Sequence, residues 1–147
     1  MVSVSVHNPQ EIPDLDYQGL KAAARAVLEG EGVRAAKVTL AFLDNPSIHA
    51  LNKRHLDHDE PTDVITFPYS GPGAKKLEGD IAVGVDVARE QAGERGHPLN
   101  TELALYVIHG CLHLCGYDDR TARDAGEMRR KEREYLKTVG LPDIAGE

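Results

Sequence analysis

The sequence predicts a single α/β domain over residues 1–147, a small mixed four-stranded sheet with about five helices and a metal site at the end of a buried helix. Three observations lead there. Short β-rich runs are interspersed with longer stretches of helical periodicity, the order expected of helices laid on a sheet. The third and fourth strand candidates are separated only by Tyr69 to Leu77 (YSGPGAKKL), too short and too rich in glycine and proline for a crossover helix, so that pair is antiparallel. Finally, Leu103 to Cys115 reads LALYVIHGCLHLC, apolar on nearly every side, which marks a helix buried in the domain.

Each element follows from local chemistry. Val2, Val4 and Val6 alternate with Ser3 and Ser5, the period of a strand with one buried face, and Asn8, Pro9 and Pro13 close it. Asp16 can cap a helix whose Leu20, Ala23, Ala24, Val27 and Leu28 form one apolar stripe, ended by Gly30 and Gly32. Lys37 to Leu43 is the second strand. Asp44-Asn45-Pro46 starts a helix, with proline at its first position; Ile48 and Leu51 pack inward while Asn52, Lys53 and Arg54 lead out. A charged loop follows from His55 to Pro61. Thr62 to Phe67 is the third strand, stopped by Pro68, and Glu78 to Gly84 the fourth. Asp86 is the expected cap of a helix running to Arg95 and closed by Gly96 and Pro98, and Asn100 the expected cap of the buried helix. Thr121 with Asp124 resembles a capping box for a last amphipathic helix, with Ala125, Met128, Tyr135 and Leu136 inward. Its Arg129, Arg130, Lys131 and Arg133 alternate with Glu127, Glu132 and Glu134, and pairs such as Glu127 with Lys131 read as helix support and not as an RNA patch.

The buried helix carries the chemistry. His109 and His113 are four residues apart, so on a helix they share one face, a turn apart, and both imidazoles reach one metal ion. Gly116 stands where a helix commonly ends in a left-handed turn, after which the chain doubles back and brings Asp119 toward the imidazoles. Two histidines, one carboxylate and an open position for water make an accepted catalytic zinc set. By spacing, the nearest protease pattern is His-Glu-x-x-His-x-x-Gly, but the second position here is Gly110, so the glutamate base of those proteases is missing and peptidase chemistry is disfavoured. Cys111 and Cys115 each lie two residues from a histidine, about 200° around the helix, and point away from the metal face. They read as reduced, buried cysteines.

Composition sets the outer bounds. Hydrophobic content of 41% with 28% charged residues is an ordinary soluble mixture. No stretch approaches a membrane span, and the amino terminus lacks the basic start and apolar run of a signal peptide, so a cytoplasmic location with no membrane partner is the expectation. A formal charge of −7 is not the net basic balance of most nucleic-acid binders; an RNA ligand would have to be met by a local basic patch.

His109-Gly-Cys-Leu-His113-Leu-Cys-Gly116-Tyr-Asp118, followed by a ligand position, resembles the YbeY family of metal-dependent endoribonucleases, the rRNA maturation RNases. The resemblance covers most of the chain: Leu51-Asn52 and then Asp59 to Pro68 match the family's central segment, and Glu78-Gly79-Asp80-Ile81 with Gln91-Ala92 the stretch before the metal helix. It implies one Zn2+ per chain, cleavage of single-stranded RNA, work on the 3′ end of 16S rRNA and in ribosome quality control, and the ribosome or its proteins as partners. Two positions depart from the pattern. Asp119 stands where the family has a third histidine, and Leu56 where it has an arginine. The ligand role carries over to His109 and His113 directly and to Asp119 as a carboxylate in the same position. An anionic ligand makes a metal-bound water less acidic than three histidines would. The arginine's role does not carry over to Leu56; Lys53, Arg54 and His58 are the candidates to replace it at the substrate, since phosphate contacts supply most sequence-independent affinity. Asp118 and Asp63 are the available carboxylates for a base. Two other readings remain: a metallohydrolase on a different substrate, and a ribosome-associated module with a structural metal, which Cys115 or Asp118 as a fourth ligand would favour.

Overall fold

A computed structural model of the chain describes residues 1–56, 63–71 and 74–145, with 55 and 56 by backbone alone. In chain order the elements are β1 (Val2–His7), α1 (Tyr17–Gly30), β2 (Ala36–Leu43), α2 (Asn45–Leu56), β3 (Val64–Pro68), β4 (Leu77–Gly84), α3 (Val85–Arg95), α4 (Leu99–Leu114) and α5 (Ala122–Thr138). The sheet order is β1-β2-β4-β3. β1 and β4 both run parallel to β2, while β3 pairs antiparallel with β4, Val64 opposite Val83 and Pro68 opposite Gly79. Among the described residues, the mixed four-stranded sheet with five helices is therefore as the periodicity indicates.

Alternation along the strands divides the helices between the two faces. Val38, Leu40 and Phe42 of β2 and Ile81 and Val83 of β4 point to one side, where they form the main core with α1 and α4. Ile65 and Ala82 point to the other, where Ile48 of α2 covers them. The apolar stripe of α1, Leu20 through Leu28, is buried as its spacing requires, and Asp16 accepts the Gly19 N–H at 3.1 Å as its cap. Helix α4 is the most enclosed of the helices: from Thr101 to Leu112 only His109 is not buried.

Close packing of α4 on the sheet depends on Gly110. A Cβ there would stand 2.8 Å from Cγ2 of the buried Ile81 and 3.3 Å from Cγ2 of Val64. This side of the helix faces the sheet, so a glutamate at this position would enter the core instead of a cleft. The absence of a protease-type base thus has a packing cause.

Local details correct several expectations. Asp86 does not cap α3; the N-cap is Gly84, directly after β4, and the Asp86 carboxylate instead accepts the Asn45 N–H at 2.7 Å, tying α3 to the start of α2. Nor does Asn100 cap α4, which starts behind Pro98. Its side-chain amide bridges Asp14 O and Asp16 N, both at 2.9 Å, and so fastens the entry of α1 to that of α4. Helix α2 runs on through His55 and Leu56, where a loop was expected. Glu127 bonds Arg130 rather than Lys131, and Lys131 reaches Glu31 at 3.3 Å instead. The Thr121 cap is as expected, accepting Asp124 N–H at 3.0 Å.

The end of α4 decides where Asp119 goes. Gly116 N donates to His113 O and Tyr117 N to Leu112 O, both at 3.0 Å, with Gly116 at φ +104°: a Schellman close that needs a left-handed residue. Open space surrounds a Cβ at this position, so Gly116→Ala should cost only backbone strain, about 1–2 kcal/mol of stability. Chemical denaturation measures it. A loss near zero would mean that the turn relaxes into another conformation.

Candidate metal centre

His109 and His113 project from the last two turns of α4 with their rings 4.6 Å apart and nearly perpendicular, at 82°. Their Nε2 atoms face each other at 3.0 Å. Beyond the Schellman turn the chain folds back, and Asp119 Oδ2 lies 3.6 Å from His109 Nε2 and 4.0 Å from His113 Nε2. The turn is held from outside as well. Tyr117 OH donates to Glu31 at 2.7 Å, and Glu31 also takes the hydroxyl of Tyr135 and the ammonium of Lys131. Burial is the largest single influence on Glu31 and favours its neutral acid, but these three donors together outweigh it and hold the carboxyl below its usual range.

Both imidazoles are oriented from behind. His109 Nδ1 donates to Glu132 Oε2 at 2.7 Å, and His113 Nδ1 to the Tyr117 carbonyl at 3.0 Å. A ring that carries its proton on Nδ1 has a bare lone pair on Nε2. Both Nε2 atoms then converge with an Asp119 oxygen on one point, an arrangement that a proton shared between the rings or a bound cation satisfies. For His109, burial is the largest influence and disfavours the imidazolium, yet the Glu132 hydrogen bond and charge, with Asp63 and Asp119, prevail and raise its pKa.

The spacing fits a transition metal. Tetrahedral N and O ligands of zinc stand about 3.3 Å apart, given bonds of about 2.0–2.2 Å. The three separations here bracket that value, and small side-chain rotations bring Asp119 closer. His109, His113 and Asp119 form the one such cluster among the described residues. Neither cysteine joins them. Cys111 is fully buried, and burial, with a smaller contribution from the Glu31 charge, pushes the Cys115 thiol up to about 11, far from the thiolate a metal needs. Asp118 is turned away: its Oδ1 accepts Asp119 N at 2.8 Å and its Oδ2 pairs with Arg120 at 3.3 Å.

His109, Asp119 and Glu132 open onto a cleft of about 560 Å3 whose floor is α4 and whose walls are α3 and α5. Asp63 reaches its rim from the start of β3, its own carbonyl accepting Gly84 N at 2.8 Å. Tyr106, one turn before His109, also lines it, and burial above all keeps that phenol protonated. Lys53 and Arg54 are exposed on α2 and do not contribute to this cleft, and His58 lies outside the described residues.

Three further groups come from the structure and not from any motif. Glu132, only 7% exposed, supports His109. Its signal was visible: it shares the inward face of α5 with Met128, Tyr135 and Leu136, and an acid in an apolar stripe implies a buried partner. Glu102 is fully buried two turns before His109, 3.6 Å from Arg95 Nη1 of α3, an ion pair longer than a hydrogen bond. Arg129, on α5, lines the cleft beside Glu132.

The chain is similar to known proteins over most of its length. The family model described as Endoribonuclease YbeY matches residues 5–140. A curated protein of that name from Moorella thermoacetica is 43% identical over 133 residues, covering 83% of each chain. Another, from Pelotomaculum thermopropionicum, is 40% identical over 129 residues, covering 83% of this chain and 85% of its own. Among solved structures, a Thermotoga maritima protein determined in solution superimposes with a TM-score of 0.65 at 26% identity, over 95% of this chain and 89% of that one.

Proposed function

This chain belongs to the YbeY endoribonuclease family, and from that premise we propose that it is a zinc-dependent endoribonuclease that cuts single-stranded RNA, maturing the 3′ end of 16S rRNA and serving ribosome quality control. The observation that carries the reading is the convergence of two Nδ1-protonated imidazoles and Asp119 Oδ2 at the end of an open cleft. A mixed nitrogen and oxygen set of three suits zinc and leaves a position for water or substrate.

A divalent ion held there supplies Lewis acidity toward a phosphoryl oxygen and toward water. The protein supplies the rest. Glu132 and the Tyr117 carbonyl fix the tautomers, so the imidazoles need no reorganisation to present their lone pairs. Asp63, at the cleft rim with its Oδ1 accepting the Val64 N–H at 2.8 Å, is the candidate to take a proton from the attacking oxygen, because Asp118 does not line the cleft and pairs with Arg120. The Tyr106 phenol, kept protonated chiefly by burial, lines the same cleft one turn before His109. A structural metal is the weaker reading, because such sites are closed by a fourth protein ligand and none joins the cluster among the described residues.

The test is an RNA carrying one single-stranded and one duplex segment, incubated with nuclease-free protein before and after chelation. Cleavage confined to the single strand, lost with the metal and restored by Zn2+, is the expected pattern. Undiminished cleavage by the metal-free protein would refute it.

A further inference from the structure

The strand must be held against a protein of net charge −7, and the cleft itself is acidic. Asp63, Asp119 and Glu132 line it, and the carboxylate of Glu102 is buried at its edge. Against these, among the described residues, stand two guanidiniums, Arg95 on the α3 wall and Arg129 on the α5 wall. They are not equivalent. Arg95 stands against the buried Glu102, both of whose oxygens lack a hydrogen bond among the described residues, so much of its charge is committed. Arg129 is exposed and, among the described residues, enters no ion pair, although its neighbours Arg130, Lys131 and Arg133 all do. It is also three residues before Glu132, hence beside it on the helix face and next to the support of His109.

We propose that Arg129 is a phosphate-binding residue of this cleft, seating the backbone of single-stranded RNA across the metal centre from the α5 wall. It supplies from a different element the guanidinium that Leu56 cannot. Sequence patterning hides this role, because alternating acids and bases along α5 read as a solvated, self-paired face; only the fold separates Arg129 from its paired neighbours. The inference rests on the endoribonuclease reading.

Arg129→Gln, Arg129→Lys and, as a control on the self-paired part of the same helix, Arg130→Gln should be compared with wild type for metal content, steady-state cleavage of single-stranded RNA and RNA affinity over a salt series. Losing one phosphate contact to a single strand should lower the slope of log K against log salt by about 0.7 and raise KM about three- to tenfold at moderate salt. Metal content should stay at the wild-type value, kcat should fall far less than kcat/KM, and Arg129→Lys should keep most of the slope. Arg130→Gln should match wild type. A wild-type KM and slope in Arg129→Gln would overturn the assignment, as would an equal effect from Arg130→Gln, which would show a diffuse charge effect. Wild-type protein that neither binds nor cuts RNA would sink the family reading too; one that does both, with Arg129→Gln indistinguishable from it, sinks this assignment alone.

Discussion

His113→Ala is expected to abolish metal retention and RNA cleavage together. Its Nε2 is one of three converging ligand atoms, and the two that remain, His109 Nε2 and Asp119 Oδ2, make only a bidentate site. Losing an outer partner of a metal ligand already costs about 10–100-fold, so losing a ligand should cost on the order of a thousandfold or more in kcat/KM. The fold should survive, since His113 is partly exposed and its one backbone contact, to Tyr117 O, duplicates what the Schellman bonds already secure. Metal analysis, cleavage and circular dichroism on one preparation separate these effects. Cleavage retained without metal would remove the metal from the mechanism. In the same assay Asp119→Ala should weaken metal retention far more than Asp118→Ala, because only the former's carboxylate faces the imidazoles. Equal losses would mean that both acids bind.

The second large effect is expected at Glu132, which touches no ligand position itself. Its carboxylate accepts the His109 Nδ1 proton at 2.7 Å, and removing such a partner weakens metal binding by about 10–100-fold. Glu132→Gln keeps an acceptor but loses the charge, while Glu132→Ala loses both, so the alanine variant should be the weaker binder. In metal-free protein, NMR titration provides an independent readout. The hydrogen bond and charge of Glu132 are the main influences raising the His109 pKa against burial, so both variants should move it downward. An unchanged His109 titration, with metal affinity also unchanged, would show that the contact does not persist in solution.

How much of this was legible in the sequence depends on whether the partner is local. The His109, His113 and Gly116 spacing encodes its own geometry, because one helical turn and one left-handed residue fix where the next ligand falls. The sheet was equally legible: strict alternation in β1 and β2 specifies a face, and the short β3–β4 connection specifies antiparallel pairing. Capping residues were misassigned where a side chain serves a distant element. Asp86 and Asn100 look like caps from their neighbours, yet each bonds to the entry of another helix, a choice only tertiary contact makes. Glu132 and Glu102 were visible as anomalies, acids in apolar stripes, but a stripe names no partner. Arg129 was read together with Arg130, Lys131 and Arg133 as helix support, because its difference from Arg130 is one of direction around a helix whose neighbours were unknown.

X-ray absorption at the metal edge of the loaded protein probes the centre itself. The expected spectrum shows two imidazoles and oxygen donors only, at about 2.0–2.2 Å, with one oxygen exchangeable by added phosphate and lost from no protein residue. A sulfur shell at about 2.3 Å, or four donors that phosphate does not perturb, would mean a closed site built for structure and would contradict hydrolysis at His109, His113 and Asp119.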